Sequence, residues 1–536
     1  MSNPNPKEKW GTKLGLILVV ASSAIGLGNF LRFPGQVAKN GGGAFMIPYL
    51  VSFLILGIPV CLSEWIMGRI GGKNGHSSLS IFRTLMGDGM LTKFTASIAI
   101  LIPTLIYVYY VFIESWCLSY AVDFLIGNIN LTPPDLSPAS PEYTAGIVDR
   151  STKTFLELTG AGGNGEALKT KIIPYTLLCY VLNFTVVYTG LSKGLDTLAK
   201  TLVPIMLFFS ILVLFRVLTL DGISQGLGFM WNPDWKSLLK GEVWVAAAGQ
   251  IFFSLSVGFG IVLIFTSYIT EKDDVTLSGI TAASLNEMVE VVFGGMITIP
   301  VGFLFLGLSV ASFGVFGMGF IALPSVFTLM PAGRLFGAVW FLILFFAAIT
   351  SSVTMLQPAL NFLEEGFHLR RVRAIPILSI FTFFLTMIII YYNREFTALD
   401  VTDFWVGTIL IYILATIQIV VYGWYIGPET ARREAEKGSN LLLPKFFDFI
   451  IKYITPGFLI FIFIVFLQQS FMEYYHKMNP TYMGELALKE GRDATVAIEK
   501  AWVSLGAFLI ILLIFGFIYY LVNRAIQKNE GKMKWN

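Results

Sequence analysis

"ASSAIGLGNFLRFP", Ala21 to Pro34, interrupts an apolar run that begins at Leu14 and would otherwise read as the middle of a membrane-crossing helix. It brings together two serines, two glycines, an asparagine and an arginine. Each loosens a helix or is costly in hydrocarbon, and function is the usual reason for keeping such residues together. The rest of the chain sharpens the question. Of its 536 residues, 55% are hydrophobic and 13% charged, and the mean hydropathy is +0.72. That is too apolar for the surface of a soluble protein of this length, so the sequence reads as an all-α polytopic membrane protein.

Composition also excludes several classes. The formal net charge is only +3, and lysines and arginines lie between apolar runs without forming a basic face, which argues against a nucleic-acid partner. Cys61, Cys117 and Cys179 fall inside apolar runs with no paired or metal-like spacing and read as buried packing residues. His76, His368 and His476 are scattered, which leaves no histidine metal site. No nucleophile–base set or metal cluster shows a recognisable spacing, so the chain does not read as an enzyme. The first apolar run leads into "GNFLRFP" and not into a small-residue cleavage site, so no cleavable signal peptide is expected.

A membrane span needs about 20 apolar residues. That length predicts twelve transmembrane helices, near 14–38, 43–69, 94–126, 171–187, 193–216, 242–269, 278–307, 338–364, 374–393, 399–425, 447–473 and 501–523. Lysines and arginines concentrate before the first span, in the second-to-third, eighth-to-ninth and tenth-to-eleventh connections, and in the tail. All of these fall on one side, which predicts cytoplasmic termini in the cell (plasma) membrane. The sixth-to-seventh loop, "EKDDV", is the exception. The long connections 127–170 and 308–336 lie opposite. The first is polar and Pro/Ser-rich, as a surface loop should be; the second is apolar but broken by Gly and Pro, which predicts short helices folded onto the membrane domain.

The opening stretch has a counterpart in the sixth span, "GQIFFSLSVGFGIVL". Both place serines just before a small-residue pair, "SSAIGLG" against "SLSVGFG", in the first span of a group of five. Matched interruptions point to an internal repeat, and because five is odd the second copy must be inverted. Gly26, Gly28, Gly258 and Gly260 let the backbone leave the helix, freeing amides and carbonyls that lipid cannot satisfy. Half-helices ending there present amide ends to an anion and carbonyl ends to a cation, which suits a zwitterion accompanied by metal ions. Such glycines also serve as close-packing points between helices; their recurrence at corresponding places, near Asn29, Ser254, Ser256 and Asn286, favours a site. The chain divides into an amino-terminal segment 1–13, a first repeat 14–216, a second repeat 242–425, the last two spans within 447–523, and a tail 524–536. The last two spans suit either homodimer contact or lipid packing.

"GLGNFLRFP", "NGGGAFMIPY", "EWIMGR", "YYVFIESW", "GQIFFSLSVGFG", "SGITAASLNE", "TSSVTMLQP" and "DFWVGTI" are spread over ten spans. On these strings the chain resembles the neurotransmitter:sodium symporter family, and in particular its bacterial amino-acid transporters of the leucine-transporter type. The resemblance implies the leucine-transporter fold, an inverted five-plus-five repeat with broken first and sixth helices. It also implies two Na+ sites. The first would use the Ala24 carbonyl, the side chains of Asn29, Ser254 and Asn286, and the substrate's own carboxylate. The second would use the carbonyls of Ser22, Ile25 and Ala347 with the hydroxyls of Thr350 and Ser351. Oxygen cages without a fixed carboxylate suit a hard, singly charged cation. The substrate pocket would comprise Ser23, Ala24, Gly28, Ile106, Tyr110, Phe253, Ser254, Ser256, Phe259, Ser351 and Met355. Its side-chain end, Ile106, Phe253, Phe259 and Met355, is apolar. Amine-carrying relatives have an aspartate where this chain has Gly26, so glycine implies a substrate that brings its own carboxylate.

Charged residues within spans need reasons. Arg32 and Asp403 resemble an outer gate pair, expected to close beside Tyr110 and Phe253. Lys7, Trp10 and Glu365 resemble a cytoplasmic gate that in relatives is an arginine, a tryptophan and an aspartate. Glu64 and Glu114 are expected to bond freed backbone at the helix breaks. Glu290 stands where chloride-dependent relatives have serine, which predicts a carboxylate in place of the anion and a group available for protonation on the return step. The expected function is sodium-coupled symport of a neutral, apolar L-amino acid by alternating access. A transporter-like receptor and an ion channel are the rival readings.

Overall fold

The computed structural model describes residues 10–138, 140, 142–163, 168–307 and 314–529. These residues are overwhelmingly helical. Among the described residues nine helices are long and apolar enough to cross a membrane, or ten if Lys13–Ala24 and Gly28–Lys39, bent by 47° at their junction, form one span. The twelve expected spans are reached only by two further steps. Thr170–Leu218 runs as one 49-residue helical stretch, but Gly190, at φ 91°, turns it at the expected boundary between the fourth and fifth spans. The sixth span is made of two pieces, Gly241–Ser254 and Ile261–Thr266, each too short to cross alone.

Met90–Ile126 is the axis of the bundle: its apolar core is wholly buried, and it packs most extensively against Gly333–Phe367. Burial falls to 28% in Phe446–Phe466 and 22% in Ala494–Asn529. These last two spans are therefore peripheral, with most of their apolar surface left for lipid.

The 308–336 connection behaves largely as anticipated where it is described. Gly314–Gly317, Met318–Ala322 and Leu323–Leu329 are short helical segments, and Met318, Phe320, Leu323 and Val326 are buried; residues 308–313 lie outside the described residues. The 127–170 connection is more ordered than its polar composition suggested. It contains the helix Tyr143–Thr159, whose Ile147, Ser151, Phe155 and Leu158 share a buried face at helical spacing. Phe155 stacks on Phe320, with ring centroids 5.3 Å apart, and so ties the two connections together.

The "EKDDV" exception has a structural explanation in charge pairing. Lys437 reaches Glu271 at 2.8 Å and Glu434 at 2.9 Å. Buried Arg69 donates to the Asp273 carbonyl at 3.1 Å and lies 3.5 Å from the Glu434 carboxylate. Asp274 caps the helix Val275–Met288 and accepts from the Asn440 amide at 2.7 Å. The acidic loop is thus neutralised by basic residues on the same side, which a count over separate loops does not register.

Candidate functional site

The two interrupted helices meet. Lys13–Ala24 ends at Ile25, and helical turns resume at Gly28. In the sixth span the helix ends at Ser254 and resumes at Ile261, with Ser256, Gly258 and Gly260 at positive φ. A side chain at either glycine would be strained, and Ser256 carries that strain. Gly26 and Gly28 are not at positive φ and are required for a different reason. A Cβ at Gly26 would stand 2.7 Å from the Tyr110 hydroxyl and 2.9 Å from Ser351 Oγ, and one at Gly28 would stand 2.9 Å from the Phe253 ring. Close approach of side chains, not backbone freedom, is what favours glycine in the first break.

Several backbone groups released by the breaks are met by side chains, one from the same span and the others from distant ones, as burial requires. The Leu27 amide donates to the Tyr110 hydroxyl at 3.0 Å, and the Gly26 amide to Asn29 Oδ1 at 2.9 Å. Ser256 Oγ donates to the Ser23 carbonyl at 3.2 Å. The Gly258 amide donates to Glu64 at 3.0 Å, as anticipated for that carboxylate. Glu114 differs: it accepts from the Asn183 side chain at 3.2 Å, because it lies where the third span packs against the fourth and not at a break.

Two groups of oxygens form. In one, Asn29 Nδ2 donates to Asn286 Oδ1 at 2.9 Å and to Glu290 at 3.1 Å, Asn286 Nδ2 donates to Ser254 Oγ at 2.8 Å, and Ser254 hydrogen-bonds Glu290. In the other, Ser351 Oγ donates to the carbonyls of Ser22 at 3.1 Å and Ile25 at 3.2 Å, while Thr350 Oγ1 donates to the Ala347 carbonyl at 3.1 Å. Both sets consist mainly of neutral oxygens. Among the described residues no cluster of His, Cys, Asp and Glu could hold a metal ion.

The other residues expected to line the substrate pocket are mostly buried. Phe253 and Phe259 are edge-on at 6.4 Å, Ile106 and Met355 are buried, and Ala24, Gly28 and Phe253 keep partial exposure. On the 127–170 loop side a cavity of about 460 Å³ opens above Phe253, lined among others by Arg32, Gln36, Glu242, Gly407 and Tyr412.

The expected gate residues are separated. The Arg32 guanidinium lies over the Phe253 ring, 4.1 Å from its centroid, while Asp403 accepts from Tyr109 at 2.6 Å. Among the described residues no ion pair joins Arg32 to Asp403. At the opposite end, Trp10 donates to the Phe265 carbonyl at 3.1 Å, and Glu365 accepts from the amides of His76 and Ser77 at 2.6 and 2.8 Å. Lys7 lies outside the described residues.

Sequence reasoning missed four contributors. Gln250 donates to Glu290 at 2.7 Å; its place four residues before Ser254, on one helical face, was the available signal. Tyr49 hydrogen-bonds Glu287, a second buried carboxylate next to Asn286 in sequence. Tyr109 holds Asp403, although Tyr110 was the tyrosine read as lying near the gate.

A multi-pass helical bundle whose two broken helices meet around clustered oxygens has the build of a membrane transporter. The comparisons give the class a family. The chain matches the model of the Sodium:neurotransmitter symporter family over residues 7–141 and 152–519, and it belongs to that family. It is 30% identical over 474 residues to an uncharacterized sodium-dependent transporter of Methanocaldococcus jannaschii, across 87% of this chain and 91% of that protein. It is 25% identical over 493 residues to the sodium-dependent nutrient amino acid transporter 1 of Drosophila virilis, across 85% and 77%. The crystal structure of MhsT in complex with L-phenylalanine shares the fold, with a TM-score of 0.73 at 24% identity over 86% of this chain and 99% of that one. The protein is thus an integral, sodium-dependent membrane transporter with the leucine-transporter fold, and not an enzyme.

Proposed function

We infer that this transporter carries a neutral, apolar L-amino acid into the cell together with two sodium ions, without chloride. The observation that carries this reading is the convergence of the two helix breaks. Released amides and carbonyls suit the substrate's carboxylate and ammonium, and the two oxygen groups suit hard monovalent cations. Sodium binding exchanges the internal hydrogen bonds of Asn286 and Ser351 for ion–oxygen contacts. The ions would be held by Ala24, Asn29, Ser254 and Asn286 in one group, and by Ser22, Ile25, Ala347, Thr350 and Ser351 in the other.

Tyr110 orients the carboxylate, and Ile106, Phe253, Phe259 and Met355 surround the side chain. The absence of a side-chain carboxylate at Gly26 supports an amino acid over an amine. Named relatives that transport or bind amino acids support the same class. Glu290 supplies the fixed negative charge that makes chloride unnecessary. The 14–216 and 242–425 repeats provide a rocking bundle of the first, second, sixth and seventh spans against a scaffold. The chain ends lie in the cytoplasm, and Arg32 with Asp403 closes the outer path over a bound substrate. Two charges moving inward contribute roughly 4–5 kcal/mol at a potential of 100 mV.

The test is uptake of labelled neutral amino acids into proteoliposomes under an imposed inward sodium gradient. Accumulation that stops when sodium is replaced by choline is expected. Binding without flux would make the protein a receptor, and sodium current without saturable amino-acid uptake would make it a channel.

A further inference from the structure

A second cavity, about 610 Å³, lies away from the transport path between the third, ninth, tenth and twelfth spans. Its deep end is apolar, formed by Leu105, Val108, Ile389, Ile511 and Ile514. Its mouth lies on the side of the 127–170 loop, because Asn393 and Glu395 beside it bond the backbone of Thr159 and Ala161. One wall is Ala494–Asn529, the least buried of the described spans, with Trp502 60% exposed. The medium outside that wall is hydrocarbon, so lipid has access to this cavity from the side.

Glu499 lines the cavity, and charges of both signs neighbour it in sequence or by ion pairing. Arg394 pairs with Glu499 at 3.1 Å and Lys500 with Glu395 at 2.5 Å, and the four side chains remain 29–59% exposed. Gly506 lines the cavity. A Cβ added to it meets nothing within 4 Å, so no packing contact accounts for a glycine that costs about 1 kcal/mol relative to alanine inside a helix.

We propose that this cavity is a phospholipid site: one acyl chain of a zwitterionic lipid enters between the third and twelfth spans while its phosphate and ammonium meet Arg394, Lys500, Glu395 and Glu499. The leaflet is the outer one under the orientation proposed above. The chain would lie directly behind the substrate helix. Leu105 and Val108 face the cavity, and Ile106 and Tyr110, at about 100° per residue, point to the opposite side. Thr402, also in the wall, immediately precedes Asp403. Occupancy would therefore brace the third and tenth spans at the level of the outer gate.

The experiment is native mass spectrometry of the full chain, purified in mild detergent and titrated with dioleoyl phosphatidylethanolamine or dioleoyl phosphatidylglycerol. The wild type should retain one phosphatidylethanolamine per monomer, in preference to phosphatidylglycerol. Gly506→Trp fills open space, so it should fold and keep sodium-dependent amino-acid binding, yet lose at least tenfold in lipid retention. Arg394→Gln combined with Lys500→Gln should weaken retention while leaving the cavity unfilled. Equal retention by Gly506→Trp, equal binding of the two headgroups, or a protein dimer in place of the lipid adduct would each overturn the proposal. Failure of wild-type uptake in the proteoliposome assay would count against the transport reading and leave this measurement unaffected.

Discussion

Ser351 donates its hydroxyl to the Ser22 carbonyl at 3.1 Å, across 329 positions of sequence. One side chain on the eighth span thereby closes on backbone that the first span releases where its helix stops. On the proposed mechanism, sodium held there would join a moving helix to the scaffold, because the ligands come from both.

Removing that hydroxyl should act on the ion first. A hydrogen bond or ligand to a charged group contributes about 1.5–3 kcal/mol, so Ser351→Ala should raise the sodium concentration needed for half-maximal uptake by about tenfold or more. Ser351→Thr should restore most of the loss. Sodium titration of uptake reads both, and an unchanged midpoint in Ser351→Ala would remove Ser351 from the ion site.

Gly26 tests close approach. The methyl of Gly26→Ala would meet Tyr110 and Ser351 at under 3 Å, and overpacking of this kind costs about 1–3 kcal/mol. Substrate and sodium affinities should both fall, each about tenfold or more, as equilibrium binding will report. A variant with parental affinities would mean that the first break is looser than the geometry indicates.

Glu290 tests the proposed independence from chloride. It is buried and bonded by Gln250, Asn29 and Ser254. Uptake by the parent should be indifferent to replacement of chloride by gluconate, whereas Glu290→Ser should transport only with chloride. Indifference in the variant would show that the carboxylate does not stand in for an anion.

The acidic loop should respond to pH. The hydrogen bond and charge of Lys437 hold the Glu271 carboxyl below its ordinary value, and Glu271 and Glu434 hold Lys437 above its own. For the depressed acid, the contribution to local order is present above the usual glutamate value and is lost as pH falls through the lowered one. For the raised lysine, it is present up to the usual lysine value and is lost as pH rises through the higher one. Both groups are exposed, so the effect on global stability is small and screened by salt. Hydrogen-exchange protection across residues 428–440, taken relative to the intrinsic exchange rate at each pH, should be high at neutral pH and lower in strong acid, and Lys437→Gln should show low protection at neutral pH. Identical exchange in that variant would exclude the pair as a restraint.

Much of this was legible without coordinates because the bilayer imposes strict local rules. Spans were readable from length and apolarity, and the breaks from paired glycines and serines where helix should continue. What stayed hidden depends on contacts between remote segments. The pairing of Tyr109 with Asp403 depends on helical phase, which adjacent tyrosines do not reveal. The helix Tyr143–Thr159 was masked by a polar composition whose apolar residues recur only once per turn. Gln250 and the Tyr49–Glu287 pair carry no motif of their own.

The sequence by itself determined that the chain crosses the membrane many times, since hydrocarbon enforces backbone pairing residue by residue, and its paired glycines and serines favoured interruptions in the first and sixth crossings. Only the tertiary structure decided what fills those gaps: which hydroxyl, amide or carboxylate arrives from a span hundreds of positions away, and which side chains crowd Gly26 and Gly28. Those outcomes follow from packing, where a single ångström separates a ligand from a clash, and no local pattern encodes that distance.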